Sequence, residues 1–315
     1  MGKLSRKTNF LVFMTDQHRA DWLGCAGHPV VKTPNLDALA ATGTLFSDFH
    51  VASPICMPNR ASLMTGRMPS VHVLRYNGCV LPQNANTFVD VLAAAGYDTA
   101  AIGKSHLQPF TDLPPIGKNQ ATDRAIADAW RPTTGNYSQE EPGRYTSDGR
   151  YEFETPYYGY QNVDMVTSHG DRCGGHYLQW LRQKTLEWGA LHDDANQLPH
   201  NYTCPQAYRT PVPEELYPTA YVAGQAVDYL NSHKDEEMPF FTFVSFPDPH
   251  HPFTPPGCWW DMYDPADMIL PPTFHTPLSQ RNDLPETARQ AYQMGDDDPH
   301  SHWPFHVNEE ETRKI

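Results

Sequence analysis

The chain has no closely spaced cysteines. Cys25, Cys56, Cys79, Cys173, Cys204 and Cys258 all stand more than four residues apart, which excludes the paired spacing of a zinc ribbon or a redox dithiol. Each thiol has to be judged singly. Long apolar runs are missing too. Met1 to Lys7 is basic, but the run after it, Phe10 to Met14, is too short for a signal h-region and meets Asp16 almost at once. The expectation is therefore a cytoplasmic protein with no membrane segment and free thiols. Positive charge is scarce. With 23 Lys and Arg against 37 Asp and Glu the net charge is −14, which argues against nucleic acid or anionic lipid as a partner. The composition is not that of a disordered chain either, because 39% of residues are hydrophobic and 12% aromatic.

What the 315 residues do hold is 30 prolines and 20 glycines, about twice the usual share of proline, and so a large loop content. Between the loops, strands and helices alternate. Asn9 to Thr15 reads as a strand buried on both faces. Thr33-Pro34 opens a helix over Asn35 to Thr42, Gly43 stops it, and Thr44 to Val51 is expected to return as a strand. A second helix starts just after Cys56 and runs to Gly66; a third spans Thr87 to Ala95, followed by a strand over Tyr97 to Ile102. Further on come a helix over Pro218 to Asn231 and a buried strand over Pro239 to Ser245. The expected fold is α/β, a mostly parallel sheet flanked by helices. From about 108 to 210 the chain is rich in Pro, Gly, Tyr and charge, and only Tyr177 to Trp188 reads as a helix. It is taken as an irregular insertion over one sheet edge within a single domain spanning 1–315. The acidic stretch from Asp283 runs to Ile315 without a terminating signal.

In an open parallel sheet, ligands bind beyond the carboxyl ends of the strands. The expected strand and loop ends deliver Asp16 with Gln17, Cys56 with Arg60, Lys104 with His106, and His250. Taken singly, each is more often bland: Asp16 an Asx-turn, Cys56 a small buried hydrophobe, Arg60 a surface charge, Lys104 a turn cap, His250 a solvated loop residue. The set is less easily dismissed. A carboxylate and an amide oxygen suit a hard divalent cation, while Arg, Lys and two His suit a tetrahedral oxyanion. Together they point to metal-assisted hydrolysis of an anionic ester.

The run Cys56-Met57-Pro58-Asn59-Arg60-Ala61-Ser62-Leu63-Met64-Thr65-Gly66-Arg67 resembles the signature of sulfatases of the alkaline-phosphatase-like superfamily. Thr33-Pro34-Asn35-Leu36-Asp37 upstream, Gly103-Lys104-Ser105-His106-Leu107 and Pro249-His250-His251-Pro252-Phe253 downstream resemble that family in the expected order. Two positions depart from it. Asn59 stands where serine is commonest, and Gln17 where many members carry a second Asp, as in the branch with phosphonate monoester hydrolases.

The resemblance implies an alkaline-phosphatase-like fold and conversion of Cys56 to formylglycine by a maturation enzyme. The hydrated aldehyde would then attack the sulfur of a small sulfate ester. It assigns Asp16, Gln17 and residue 56 to Ca2+, with Mg2+ or Mn2+ as alternatives. Arg60 would hold the nucleophile, His106 would act as base, and Lys104 and His250 would meet the sulfate oxygens or leaving group, with Asn77 also contacting the transferred group. A phosphonate monoester or phosphodiester hydrolase is the alternative within the scaffold, and Lys104 with His106 favours sulfate. The family's later Asp-His-Gly or Asp-Asn-Gly tripeptide does not occur here; Ser168-His169-Gly170 lacks the Asp and comes too early. A truncated, inactive chain with a weak metal site, or a homo-oligomer, therefore stays open.

Overall fold

The computed structural model describes residues 7–111, 134–204, 206–276 and 308–315. The acidic run at 295–298 and the stretch at 112–133 lie outside them. The contacts divide the chain into two compact units. One comprises Met1–His18, Phe46–Gly189 and Glu215–His250; the other comprises Arg19–Leu45, Ala190–Glu214 and His251–Ile315.

The first unit holds a five-stranded sheet of β1 (Phe10–Met14), β2 (Asp98–Gly103), β3 (Asn162–Thr167), β4 (Gly174–Gly175) and β5 (Phe240–Ser245), in the order β1-β5-β2-β3-β4. The first four in that order are parallel and only the two-residue β4 runs antiparallel, against β3. Successive strand residues point to opposite faces, and both faces are covered. Phe241, Phe243, Ala101 and Met165 join Met57, Ala61 and Met64 of α2 (Cys56–Thr65) and Val89 of α4 (Phe88–Ala94) in one core. Val244, Ile102 and Val166 join Tyr177 and Leu181 of α5 (His176–Lys184) and Tyr221, Val222 and Ala226 of α7 (Pro218–His233) in the other. Short helix α3 (Pro69–His72) also belongs to this unit, and the unit boundary at Gly189–Ala190 falls within α6 (Trp188–Leu191). The expected α/β fold, mostly parallel with flanking helices, is the observed one.

Local chemistry sets the helix ends. Thr87 and Asp90 form a reciprocal capping box at the start of α4. Gly66 closes α2 at φ 64°, its N–H donating to the Ser62 carbonyl. Gly103 ends β2 at φ 100°, and a Cβ there would come within 2.0 Å of the Ser245 carbonyl oxygen; only glycine lets β2 lie this close to β5.

Three expectations need correction. β1 is not buried on both faces: Phe10, Leu11, Val12 and Phe13 are 36–58% exposed, because β1 is paired only on its β5 side among the described residues. Residues 44–51 form no strand, since no neighbouring strand supplies a ladder there, and Phe46 and Phe49 are exposed. Within 108–210 the chain contributes more than a covering loop: β3 lies inside that segment and pairs parallel with β2, as its apolar Val163, Met165 and Val166 would allow.

In the second unit, α1 (Pro34–Thr42) is tied to Gly24–Ala26 by the Asp37 carboxylate, which accepts the Cys25 N–H at 2.7 Å and the Thr33 hydroxyl at 2.8 Å. Trp259 Nε1 donates to Glu214 at 2.9 Å, and α8 (Glu309–Lys314) begins with a second capping box, Asn308 with Glu311. No described helix is long and apolar enough to cross a membrane, and all six cysteines are free.

Candidate active site

The parallel strands of the first unit end on one edge of the sheet, and most of the sequence-marked residues follow those ends directly. Asp16 lies two residues after β1, Lys104 immediately after β2, His169 two after β3 and His250 five after β5, while Cys56 opens α2. Close backbone ties between neighbours set the spacing. Phe246 N–H donates to the Met14 carbonyl at 2.8 Å, Asp16 N–H to the Asp248 carbonyl at 3.0 Å and Lys104 N–H to the Ser245 carbonyl at 3.0 Å.

Asp16 is the hub. Its Oδ2 meets the Lys104 ammonium directly, Arg60 at 3.4 Å and His169 Nε2 at 3.9 Å, and its Oδ1 stands 3.9 Å from Cys56 Sγ. Burial alone would raise its pKa, but Lys104 and Arg60 outweigh that and bring the carboxyl down to about 2. Lys104 is fully buried; desolvation lowers its pKa against the pull of Asp16. Arg60, also buried, donates to the Lys104 carbonyl at 2.5 Å and to Ser245 Oγ at 2.9 Å. The Cys56 thiol is half-buried at a helix N-terminus; burial raises its pKa while Lys104 lowers it. The local balance of two cations against one carboxylate suits an anionic group.

Asn77 is nearby: its Oδ1 accepts the Met57 N–H at 3.2 Å and so satisfies one first-turn donor of the helix that presents Cys56. Gln17 is exposed with φ 54°, so of the two expected metal-binding oxygens only Asp16 is buried in the cluster. Two side chains supply few of the six to eight oxygens calcium takes, and the described residues do not by themselves fit that ion.

His106 sits behind the cluster. Its ring stacks on Phe110 at 3.8 Å, and Phe110 in turn packs edge-on to His169 at 5.8 Å. Burial, then the charges of Lys104 and Arg60, hold His106 well below the ordinary histidine range. It is a neutral imidazole rather than a group titrating near neutrality, and its buried Nδ1 has no hydrogen-bond partner among the described residues.

Two members lie outside the catalytic and metal residues expected from the sequence, although the His169–Arg172 segment is one that could line the pocket. His169 contacts the Lys104 ammonium through Nε2 and stacks on His250, ring centroids 3.4 Å apart and planes 8° from parallel. Its signal was positional: Ser168-His169-Gly170 directly follows a strand, but that strand lay in the segment read as insertion. Glu140, fully buried, receives three consecutive backbone N–H groups through its carboxylate, from His106 at 2.9 Å, Leu107 at 2.9 Å and Gln108 at 3.1 Å, together with the Tyr157 hydroxyl. Burial pushes its pKa up against those donors. Nothing in the local sequence marks Glu140, whose three backbone partners lie more than thirty residues away.

Residues 8–266 match the family model described as Sulfatase. The chain is 29% identical to an arylsulfatase of Clostridium perfringens over 84% of its own length and 48% of that protein's. It is 42% identical to human arylsulfatase A over 33% of the chain and 22% of that protein. The phosphonate monoester hydrolase of Agrobacterium radiobacter superposes with a TM-score of 0.64 at 21% identity, over 98% of this chain and 55% of that one, which speaks to the fold alone. The chain thus spans about half the length of the curated relatives it matches.

Proposed function

Since the chain belongs to the sulfatase family, we propose that the protein it represents hydrolyses a small sulfate ester at Cys56. The observation that supports this most is the meeting of half-buried Cys56 with buried Arg60, Lys104 and Asp16 at one sheet edge. An isolated surface cysteine would have no such company. Conversion of Cys56 to formylglycine by a maturation enzyme supplies a geminal diol, a far better nucleophile toward sulfur than a thiol whose proton burial holds on.

The residues around it then divide the work. Asp16, ionised even in acid, orients the Lys104 ammonium and keeps it charged against desolvation. Lys104, with Arg60 behind it, draws the sulfate oxygens in and stabilises charge gathering on them in the transition state. His250 and His169, stacked face to face, offer ring nitrogens to the sulfate or the departing alcohol. His106, held neutral, can accept a proton through its unpartnered Nδ1. The family resemblance brings a divalent cation into this reading as well; of the expected oxygen ligands Asp16 would hold it, while Gln17 is exposed and the described residues do not complete its shell.

The test is chemical. The Cys56 peptide should carry an aldehyde in place of the thiol when the maturation enzyme is co-expressed, and turnover of aryl sulfates should depend on that conversion. Full turnover with an unmodified Cys56 would remove the reading.

A further inference from the structure

The donor atoms of Cys56, His169 and His250 all lie within 4.8 Å of one another. Asp16 adds a fourth donor: its Oδ1 is 3.9 Å from Cys56 Sγ and its Oδ2 is 3.9 Å from His169 Nε2. Sulfur at about 2.3 Å and nitrogen or oxygen at about 2.0–2.1 Å around a tetrahedral ion place the donors about 3.3–3.6 Å apart. A modest closure would therefore bring the three donors around one ion, with one Asp16 oxygen facing Cys56 and the other facing His169. Its chemistry is one thiol, two imidazoles and one carboxylate, which suits a zinc-class cation and not calcium or magnesium, whose ligands are oxygens.

We propose that, while Cys56 remains a cysteine, Cys56, His169, His250 and Asp16 form a binding site for a zinc-class divalent cation. On binding, the Cys56 thiol gives its proton to water, the thiolate sulfur donates a lone pair to the metal, and no electron changes hands. Thiolate and carboxylate together balance the two charges of the ion. The Lys104 ammonium now touches both Asp16 and His169, so it holds part of the cation's position, and the metal enters by displacing that hold. The rings of His169 and His250 lie nearly parallel, so they must tilt apart to aim their lone pairs at one centre. Replacing the sulfur by an aldehyde removes the one soft donor, so metal preference reports the chemical state of residue 56. This holds whether or not the protein hydrolyses sulfate esters, because it concerns the thiol form alone.

The test uses the 315-residue chain from a host without a maturation enzyme, after mass spectrometry has verified the thiol at Cys56. Titration with Co2+ should give a one-to-one complex with a thiolate-to-metal charge-transfer band and the intense visible bands of a tetrahedral ion, both displaced by Zn2+ and untouched by Ca2+. Cys56→Ser should abolish the charge-transfer band. His169→Phe, which keeps a ring against His250, should weaken binding at least tenfold, and Lys104→Met should tighten it. For variants that lose their native circular dichroism, X-ray absorption at the zinc edge of the unaltered chain gives the answer: one sulfur with nitrogen or oxygen neighbours supports the site. A shell of oxygens alone, or a charge-transfer band that survives in a folded Cys56→Ser chain, overturns it.

Discussion

The Lys104 ammonium and the Asp16 carboxylate touch where almost no solvent reaches either, the first side chain 0% and the second 8% exposed. Breaking such a pair from one side strands the other charge, at a typical cost of about 3–5 kcal/mol. Asp16→Asn should accordingly destabilise the chain by about that amount in urea unfolding, with Lys104 left buried beside Arg60. Lys104→Met with Asp16→Asn should recover much of the loss, since neutralising both partners removes the stranded charge. A double variant no more stable than Asp16→Asn would mean that the pair is not the reason for the loss.

Stability should fall in two stages on acidification. The first belongs to His176, whose Nδ1 accepts the Met165 N–H and whose Nε2 meets the Tyr151 carbonyl, both at 2.9 Å. Burial, then Arg150, lower its pKa to about 4 from an ordinary 6.5. Between those values the unfolded chain binds a proton that the folded chain refuses, so stability is lost as pH falls from 6.5 toward 4, by roughly 3 kcal/mol at the limit. Asp16 governs the second stage. Its folded pKa of about 2 lies below the ordinary 3.8, so its contribution is present above 3.8 and is lost as pH falls through 2, about 2 kcal/mol in all. Urea midpoints measured across this range should show both slopes in the native chain and a shallower upper slope in His176→Gln, since buried His106 also resists protonation in the folded chain.

How much of this could be read in advance depended on how local the signal was. Cys56, Arg60, Lys104 and His250 sit in short motifs beside strand or helix ends, and a strand end fixes where its next residues go. The capping pair Thr87 and Asp90 is just as local. What escaped was non-local. Val163, Met165 and Val166 make β3 only because β2 lies alongside, and with β3 unread the sequence does not decide whether His169 lines the pocket or packs the insertion. Glu140 is invisible for the same reason, since its three partners are adjacent to one another and distant from it in sequence. The exposed β1 reverses the case: the apolar run Phe10 to Met14 identified a strand correctly, but how much of it is covered depends on its neighbours and not on the run.

Glu140 should prove a brace for the loop that carries Lys104 and His106. His106 holds φ 54°, a conformation uncommon for a residue with a side chain, and the carboxylate that collects the three N–H groups at 106–108 is what over-determines it. In Glu140→Gln one oxygen gives way to an NH2 facing amide donors. Hydrogen exchange at His106, Leu107 and Gln108 should quicken selectively, with a stability cost of about 1–3 kcal/mol. Tyr157→Phe removes a single donor and should have a smaller effect in the same direction. Unchanged exchange at these three amides in a folded Glu140→Gln chain would show that the loop holds its shape unaided.

The last expectation concerns selectivity in the converted protein. In the proposed reaction Lys104 would meet the reacting group as a cation and His106 as a neutral base, so the two substitutions should fail differently. Lys104→Ala should lower kcat for an aryl sulfate by about 10²–10³, the usual worth of one donor to charge developing in a transition state. Loss of attraction for the anionic substrate should raise KM as well. His106→Ala should lower kcat with little change in KM, because its ring is buried against Phe110 and no charge is removed. Steady-state assays on aryl sulfates and phosphonate monoesters in parallel measure both effects. Sulfate turnover should exceed phosphonate turnover in the unaltered protein, and Lys104→Ala should narrow the difference. Phosphonate hydrolysis faster than sulfate hydrolysis with Lys104 in place would mean that this buried ammonium does not select the transferred group, and would point to the phosphonate monoester hydrolase alternative instead.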